Sequence, residues 1–126
     1  MADSELILTG MTILVVDDEA DVCRGIAEFL TEQNFNAEAA VGGIDAISRM
    51  ESARFDLVIS DIRMPGVDGV QLLRKVKGEW PGTEVVLMTA YGSKETAVEA
   101  LRLGAYDYIE KPFDVEDLLN AITNCL

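Results

Sequence analysis

Three aspartates stand at the ends of apolar runs: Asp17 and Asp18 follow Ile13-Leu14-Val15-Val16, and Asp61 follows Leu57-Val58-Ile59-Ser60. Runs of that length and composition predict strands, and parallel strands of an open α/β sheet aim their carboxyl ends at one edge, where such folds bind ligands. The three carboxylates can therefore converge. Two unit charges about 4 Å apart repel by ~1 kcal/mol in water and by ~4 kcal/mol at an effective dielectric of 20, so a converged trio calls for a cation, a shared proton, or both. An all-oxygen donor set with room for waters suits magnesium or manganese, and magnesium held by one or two carboxylates commonly completes its shell with phosphate oxygens. A solvated acidic loop accounts for a single Asp-Asp pair; a second strand ending in aspartate favours a site.

Two more predicted strands end in useful groups. Thr89 follows the apolar residues 85–88, and Lys111 follows the run at 106–109. A hydroxyl, an ammonium and a metal around a carboxylate are what an acyl phosphate on Asp61 needs: a nucleophilic oxygen, with donors and cations for the phosphoryl oxygens. Taken singly, Thr89 is the start of a turn and Lys111 a surface lysine; the shared edge is what gives them roles. The chain has no histidine, which excludes a histidine general base, a Ser-His triad and a histidine-ligated metal within these residues.

The elements that must position these groups alternate along the chain. A strand at 13–16 precedes a helix with Val22, Ile26, Phe29 and Leu30 at helical spacing, and a weaker strand at 36–40 precedes a helix with Ala46, Ile47 and Met50 on one face. The strand at 57–60 leads to a helix marked by Val70, Leu73 and Val76, which Gly78 is expected to stop in the left-handed conformation. Residues 85–88 are apolar throughout, as a strand buried on both faces of a parallel sheet requires. Ser93 is a candidate cap for a fourth helix burying Ala97, Val98 and Leu101, with Arg102 in its last turn and Gly104 past its end. That helix should turn Lys94, Glu95, Glu99 and Arg102 outward. A fifth strand at 106–109 and an Asp114-capped helix with Leu118, Leu119 and Ile122 inward complete five β and five α elements. Strict alternation predicts a three-layer α/β sandwich with right-handed crossovers.

Length and charge set the bounds. The 126 residues suffice for one domain, here expected over residues 11–126 behind a flexible extension of residues 1–10. A formal net charge of -13 with 49% hydrophobic residues describes an acidic folded body, and without a basic cluster this segment is not expected to contact nucleic acid. The first residues lack a positive n-region, and no run reaches membrane-spanning length. Cys23 and Cys125 show no metal-ligand or Cys-x-x-Cys spacing, so they read as reduced packing residues of a cytoplasmic protein.

Four segments, ILVVDDEAD (13–21), DLVISDIRMPGVDG (56–69), VVLMTAYGS (85–93) and GAYDYIEKPF (104–113), in this order and spacing, resemble the receiver domains of two-component response regulators. The resemblance covers essentially residues 11–126. It implies a flavodoxin-like (βα)5 fold with strand order 2-1-3-4-5, Asp61 as phospho-acceptor, and magnesium held by Asp17, Asp18, Asp61 and the backbone carbonyl of Arg63. It further implies that Thr89 and Lys111 bind the phosphoryl group, that Thr89 and Tyr108 act as the switch pair, and that the Lys111-Pro112 bond is cis. Arg63 and Tyr91 match variable positions that resemble tuning sites for phosphoryl lifetime. The implied partners are a sensor histidine kinase, a downstream effector domain or protein, and a second copy in a phosphorylation-dependent homodimer meeting through the fourth helix, fifth strand and fifth helix. The chain is most similar to receivers of enhancer-binding transcriptional activators, which makes an N-terminal domain of a longer regulator the expectation and a stand-alone receiver the alternative.

Rival readings meet specific obstacles. An aspartate-nucleophile phosphatase needs Asp-x-Asp, but Glu19 falls where the second aspartate would be. An EF-hand needs glycine at the sixth position of its loop, where Val22 stands. A pure binding module would not require Thr89 and Lys111 beside the acidic trio.

Overall fold

The computed structural model describes residues 10–90 and 94–125. Five strands, β1 (Thr12–Asp17), β2 (Asn36–Val41), β3 (Leu57–Asp61), β4 (Glu84–Thr89) and β5 (Asp107–Glu110), form one parallel sheet in the order β2-β1-β3-β4-β5. Five helices alternate with them: α1 (Ala20–Glu32), α2 (Gly43–Ser52), α3 (Gly69–Glu79), α4 (Lys94–Arg102) and α5 (Val115–Asn124). The extension expected over residues 1–10 lies, apart from Gly10, outside the described residues.

Side chains alternate across the strands, and this divides the core in two. Ile13, Val15, Leu57, Ile59, Val86 and Met88 pack with Cys23, Ala27 and Leu30 of α1 and Leu118, Ala121 and Ile122 of α5. Leu14, Val16, Val58, Val85 and Leu87 pack with residues of α2, α3 and α4 on the other face. The sheet is thus covered on both sides, which is why its central strands read as unbroken apolar runs. Order β2-β1-β3 means that the chain departs from β1 in opposite senses, and a crevice opens at the carboxyl ends of β1 and β3.

Local details differ from the sequence expectation in four places. Gly78 is inside α3 and has no positive φ; the helix ends at Trp80, whose N–H donates to the Val76 carbonyl at 2.7 Å. Pro81 supplies the reason, because its ring disfavours the helical conformation for Trp80. In α4 the buried stripe runs through Ala97 and Ala100, while Val98 and Leu101 are exposed on its flanks at 39% and 37%. Two alanines three residues apart let the helix lie against the sheet, and the larger residues beside them stay at the surface. The fifth strand begins one residue later than expected, with Tyr106 exposed and Ile109 buried. Asp17, Asp61 and Thr89 are the last residues of their strands rather than the residues after them.

Other boundaries follow the sequence. Asp114 caps α5, accepting from the Asp117 N–H, and Gly104 sits past α4 with φ +109. Ser93, the expected cap of α4, lies outside the described residues. Cys23 and Cys125 are free thiols, and burial pushes the Cys125 thiol up to about 11.

Candidate functional site

The carboxyl ends of β1, β3 and β4 gather the groups singled out in the sequence. Asp17 ends β1 with only 1% of its surface exposed, Asp61 ends β3 at 9%, and Thr89 ends β4 fully buried. Asp18 is exposed, the first residue past β1. One carboxylate oxygen from each of Asp17, Asp18 and Asp61 lies within 4.8 Å of the others. Lys111, just past β5, reaches across with its ammonium 3.1 Å from Asp17 Oδ2 and 3.6 Å from Asp61 Oδ2.

Backbone contacts fix these side chains. The Glu19 N–H donates to Asp17 Oδ1 at 3.0 Å, and the Gly42 N–H donates to the Asp17 carbonyl at 3.0 Å, tying the end of β1 to the start of α2. The Lys111 N–H donates to the Thr89 carbonyl at 2.7 Å, so the lysine and the threonine are held together through the main chain. The Lys111-Pro112 peptide bond is cis. The loop from β3 to α3 carries Arg63, exposed, two residues beyond Asp61.

Electrostatically the site is poised rather than settled. Burial raises the Asp61 carboxyl above its usual range and the Asp17 charge adds to this, against the lowering effect of Lys111. Burial pulls the Lys111 ammonium down, but its hydrogen bond to Asp17 and the charges of Asp61 and Asp17 outweigh that and leave it raised. Three carboxylates against one ammonium leave two negative charges without compensation, and one divalent cation on the clustered oxygens would supply it. The donor set fits a hard cation of the magnesium type.

Thr89 is unusual in another way. Its Oγ1 is buried without a hydrogen-bond partner among the described residues, although most buried hydroxyls have one. An oxygen of a ligand bound beside Asp61 is the kind of acceptor it lacks. Thr89 pairs with Glu110 and Leu87 with Tyr108 in the β4–β5 register, so Thr89 and Tyr108 share one face of the sheet. Tyr108 is half-buried there, packed against the core beneath α4. Glu95, Glu99 and Arg102 of α4 are exposed; the side chain of Lys94 and all of Tyr91 lie outside the described residues.

Two site features carried no recognised signal in the sequence. Ser60, fully buried, donates its hydroxyl to the Asp61 carbonyl at 2.9 Å. Gly69, the first residue of α3, packs its backbone onto the Asp61-Ile62 peptide, and its N–H donates to the Ile62 carbonyl at 2.8 Å. A serine breaking an otherwise apolar strand was the available hint for the first. The Asp68-x-x-Gln71 spacing was also available, and it closes a capping box that starts α3.

The family model of the response regulator receiver domain matches residues 13–123. The regulatory protein AtoC of Escherichia coli strain K12 is 44% identical over 106 residues, covering 84% of this chain and 23% of AtoC. The transcriptional regulatory protein ZraR of Salmonella typhimurium is 40% identical over 114 residues, covering 90% of this chain and 26% of ZraR. The chain therefore spans about a quarter of the length of these relatives. Among solved structures, a response regulator receiver domain protein from Clostridium thermocellum superposes with a TM-score of 0.84 at 31% identity, covering 91% of this chain and 93% of that one. NtrX from Brucella abortus, in complex with ATP, superposes with a TM-score of 0.84 at 35% identity, covering 92% of this chain and 28% of NtrX.

Proposed function

Because this chain belongs to the receiver domain family of response regulators, we propose that Asp61 accepts a phosphoryl group from a phosphohistidine of a sensor kinase and that residues 11–126 act as the phosphorylation-controlled unit. The observation that carries this reading is the buried Asp61 carboxylate at the end of β3, within the carboxylate cluster and 3.6 Å from the Lys111 ammonium. One Asp61 oxygen attacks phosphorus, the O–P bond forms as the N–P bond to the donor imidazole breaks, and the imidazole leaves with the bonding pair and takes up a proton. Lys111 offsets charge on the phosphoryl oxygens and Thr89 donates its free hydroxyl to one of them. Asp17, Asp18 and Asp61, with the Arg63 carbonyl, would hold magnesium, or manganese in its place. The bound ion would neutralise the carboxylates and the incoming phosphoryl charge.

The shared face of β4 and β5 supports a switch between Thr89 and Tyr108. Thr89 moves toward the new phosphoryl group, space opens beside Leu87, and Tyr108 turns inward, a packing change of the two-state kind. The altered surface of α4, β5 and α5 then binds a partner or a second copy of the chain. AtoC and ZraR carry regulatory names, and an output on transcription through a domain outside this segment is the reading their similarity supports; the acidic receiver itself makes no nucleic-acid contact. Among the described residues no helix is long and apolar enough to cross a membrane, and free cysteines and a kinase donor suit the cytoplasm.

Intact-mass measurement after incubation with magnesium and acetyl phosphate tests the acceptor. Wild type should gain one phosphoryl group and Asp61→Asn none; a phosphoryl gain in the variant would move the acceptor elsewhere. A receiver accumulates the acyl phosphate once per chain, whereas continuous release of phosphate with many turnovers would favour an aspartate-nucleophile phosphatase.

A further inference from the structure

Two small residues meet the backbone carbonyl of Asp61. Ser60 Oγ donates to it at 2.9 Å from a fully buried position. On the side of α3, a Cβ added to Gly69 would collide with the same carbonyl oxygen, and would stand only 2.8 Å from Ile62 Cα and 3.1 Å from the Asp61 carbonyl carbon.

Gly69 is not there for its conformational freedom. Its φ lies outside the left-handed region, unlike Gly42, Gly66 and Gly104. Nor does it start the helix, since Asp68 and Gln71 already close a reciprocal capping box around that end. Glycine leaves the unfolded chain more freedom to lose than alanine would, so the position gives up stability and gains only the missing methyl. The methyl's space is filled by the peptide that carries the phospho-acceptor.

We propose that Ser60 and Gly69 are positioning residues for phosphoryl transfer, gripping the Asp61 peptide so that its carboxylate faces the carboxylate cluster and Lys111. The inference rests on Asp61 being the acceptor. The direction of the Asp61 Cα–Cβ bond follows its peptide, so a displaced carbonyl swings the nucleophilic oxygens. Relieving the collision at an alanine would push the carbonyl by ~1 Å, a misplacement that can slow a positioned reaction by roughly 100-fold. Removing the Ser60 hydroxyl frees the same carbonyl without pushing it, so its effect should be smaller.

The test compares labelling rates of the whole chain by acetyl phosphate at saturating magnesium, read by intact mass, for wild type, Ser60→Ala, Gly69→Ala and Asp61→Asn. Thermal melts give the folded fraction, and calorimetry gives magnesium affinity. Gly69→Ala should slow labelling by about 10- to 100-fold per folded molecule, and Ser60→Ala by ~2- to 10-fold, the span of one hydrogen bond. Where Gly69→Ala does not fold, Ser60→Ala alone decides. Wild-type rates per folded molecule in the folded variants, with or without a lower melting temperature, would overturn the positioning role and leave Asp61 as acceptor. Labelling of Asp61→Asn would instead overturn the acceptor on which the inference rests.

Discussion

Ionising Asp61 costs the metal-free protein stability, because burial and the Asp17 charge raise its carboxyl above the ordinary value of 3.8. A raised folded-state value means that this group favours folding while protonated, and that the advantage is lost as pH rises from the ordinary value through the folded one. Asp61→Asn should therefore melt higher than wild type at pH 7 in chelator, and the gap should close as pH falls toward 4; a gap that widens on acidification would contradict the sign. Lys111 works in the other direction. Its ammonium is raised by its carboxylate partners, so its contribution is intact at pH 7 and disappears only above its ordinary value of 10.5. Lys111→Ala, which strips Asp17 of a charged hydrogen bond at 3.1 Å, should lower metal-free stability by about 1.5–3 kcal/mol, measured by urea denaturation at pH 7. An unchanged midpoint would mean that the pair is screened. Asp17, Asp18, Asp61, Thr89 and Lys111 were legible in the sequence because their types are chemically distinctive and each falls at the end of an apolar run. Ser60 and Gly69 were not, since a hydroxyl's partner and the space a missing methyl leaves exist only after β3 and α3 have met.

At the level of elements, the strand ends and helix starts determine how rigidly the site is held. Thr89 closes β4 with a buried hydroxyl that has no partner among the described residues, a group whose burial costs about 1–3 kcal/mol. Thr89→Val keeps the branched shape and removes that cost, so the variant should be more stable by about 1 kcal/mol or more in urea. A destabilised Thr89→Val would show that the hydroxyl has a partner in solution. Asp114 caps α5 by accepting from the Asp117 N–H, with Asp117 reciprocating; Asp114→Ala should cost about 1 kcal/mol, read as a shifted denaturation midpoint at unchanged slope. Asp114 was legible as a cap from its place before a helical pattern. Helical spacing identified an apolar side for α4 but not the centre of its stripe: the sheet accepted Ala97 and Ala100 and left Val98 and Leu101 outside. Gly78 was misread because a glycine near a helix end signals a stop only when the chain needs a left-handed residue there, and Pro81 had already set the boundary through Trp80.

Strict βα alternation determined the class of the molecule, a parallel sheet covered on both faces, whereas the order β2-β1-β3-β4-β5 came only through the receiver resemblance, because periodicity does not say which strands become neighbours. That order is what puts β1 beside β3 and brings the Asp17-Asp18 pair to Asp61. The whole chain carries a net charge of -13, of which this cluster concentrates a local excess of two negative charges left after Lys111. Both levels oppose folding through like-charge repulsion, and they respond differently to ions. Simple salt screens the diffuse charge within a Debye length of about 10 Å at 0.1 M, whereas a divalent cation held by the carboxylates stabilises by mass action, by about 2.7 kcal/mol at a concentration 100 times its Kd. For a domain of this size that gain is on the order of 10 °C in melting temperature. Magnesium chloride should therefore raise the wild-type melting temperature well above sodium chloride of equal ionic strength. Asp18→Asn, which leaves the Asp17–Lys111 pair at 3.1 Å intact, should melt higher than wild type in chelator, since repulsion is relieved, and should lose most of the gain from magnesium over sodium. If magnesium raises both proteins equally over sodium, the ion acts on the acidic surface at large and the cluster at the ends of β1 and β3 is not its site.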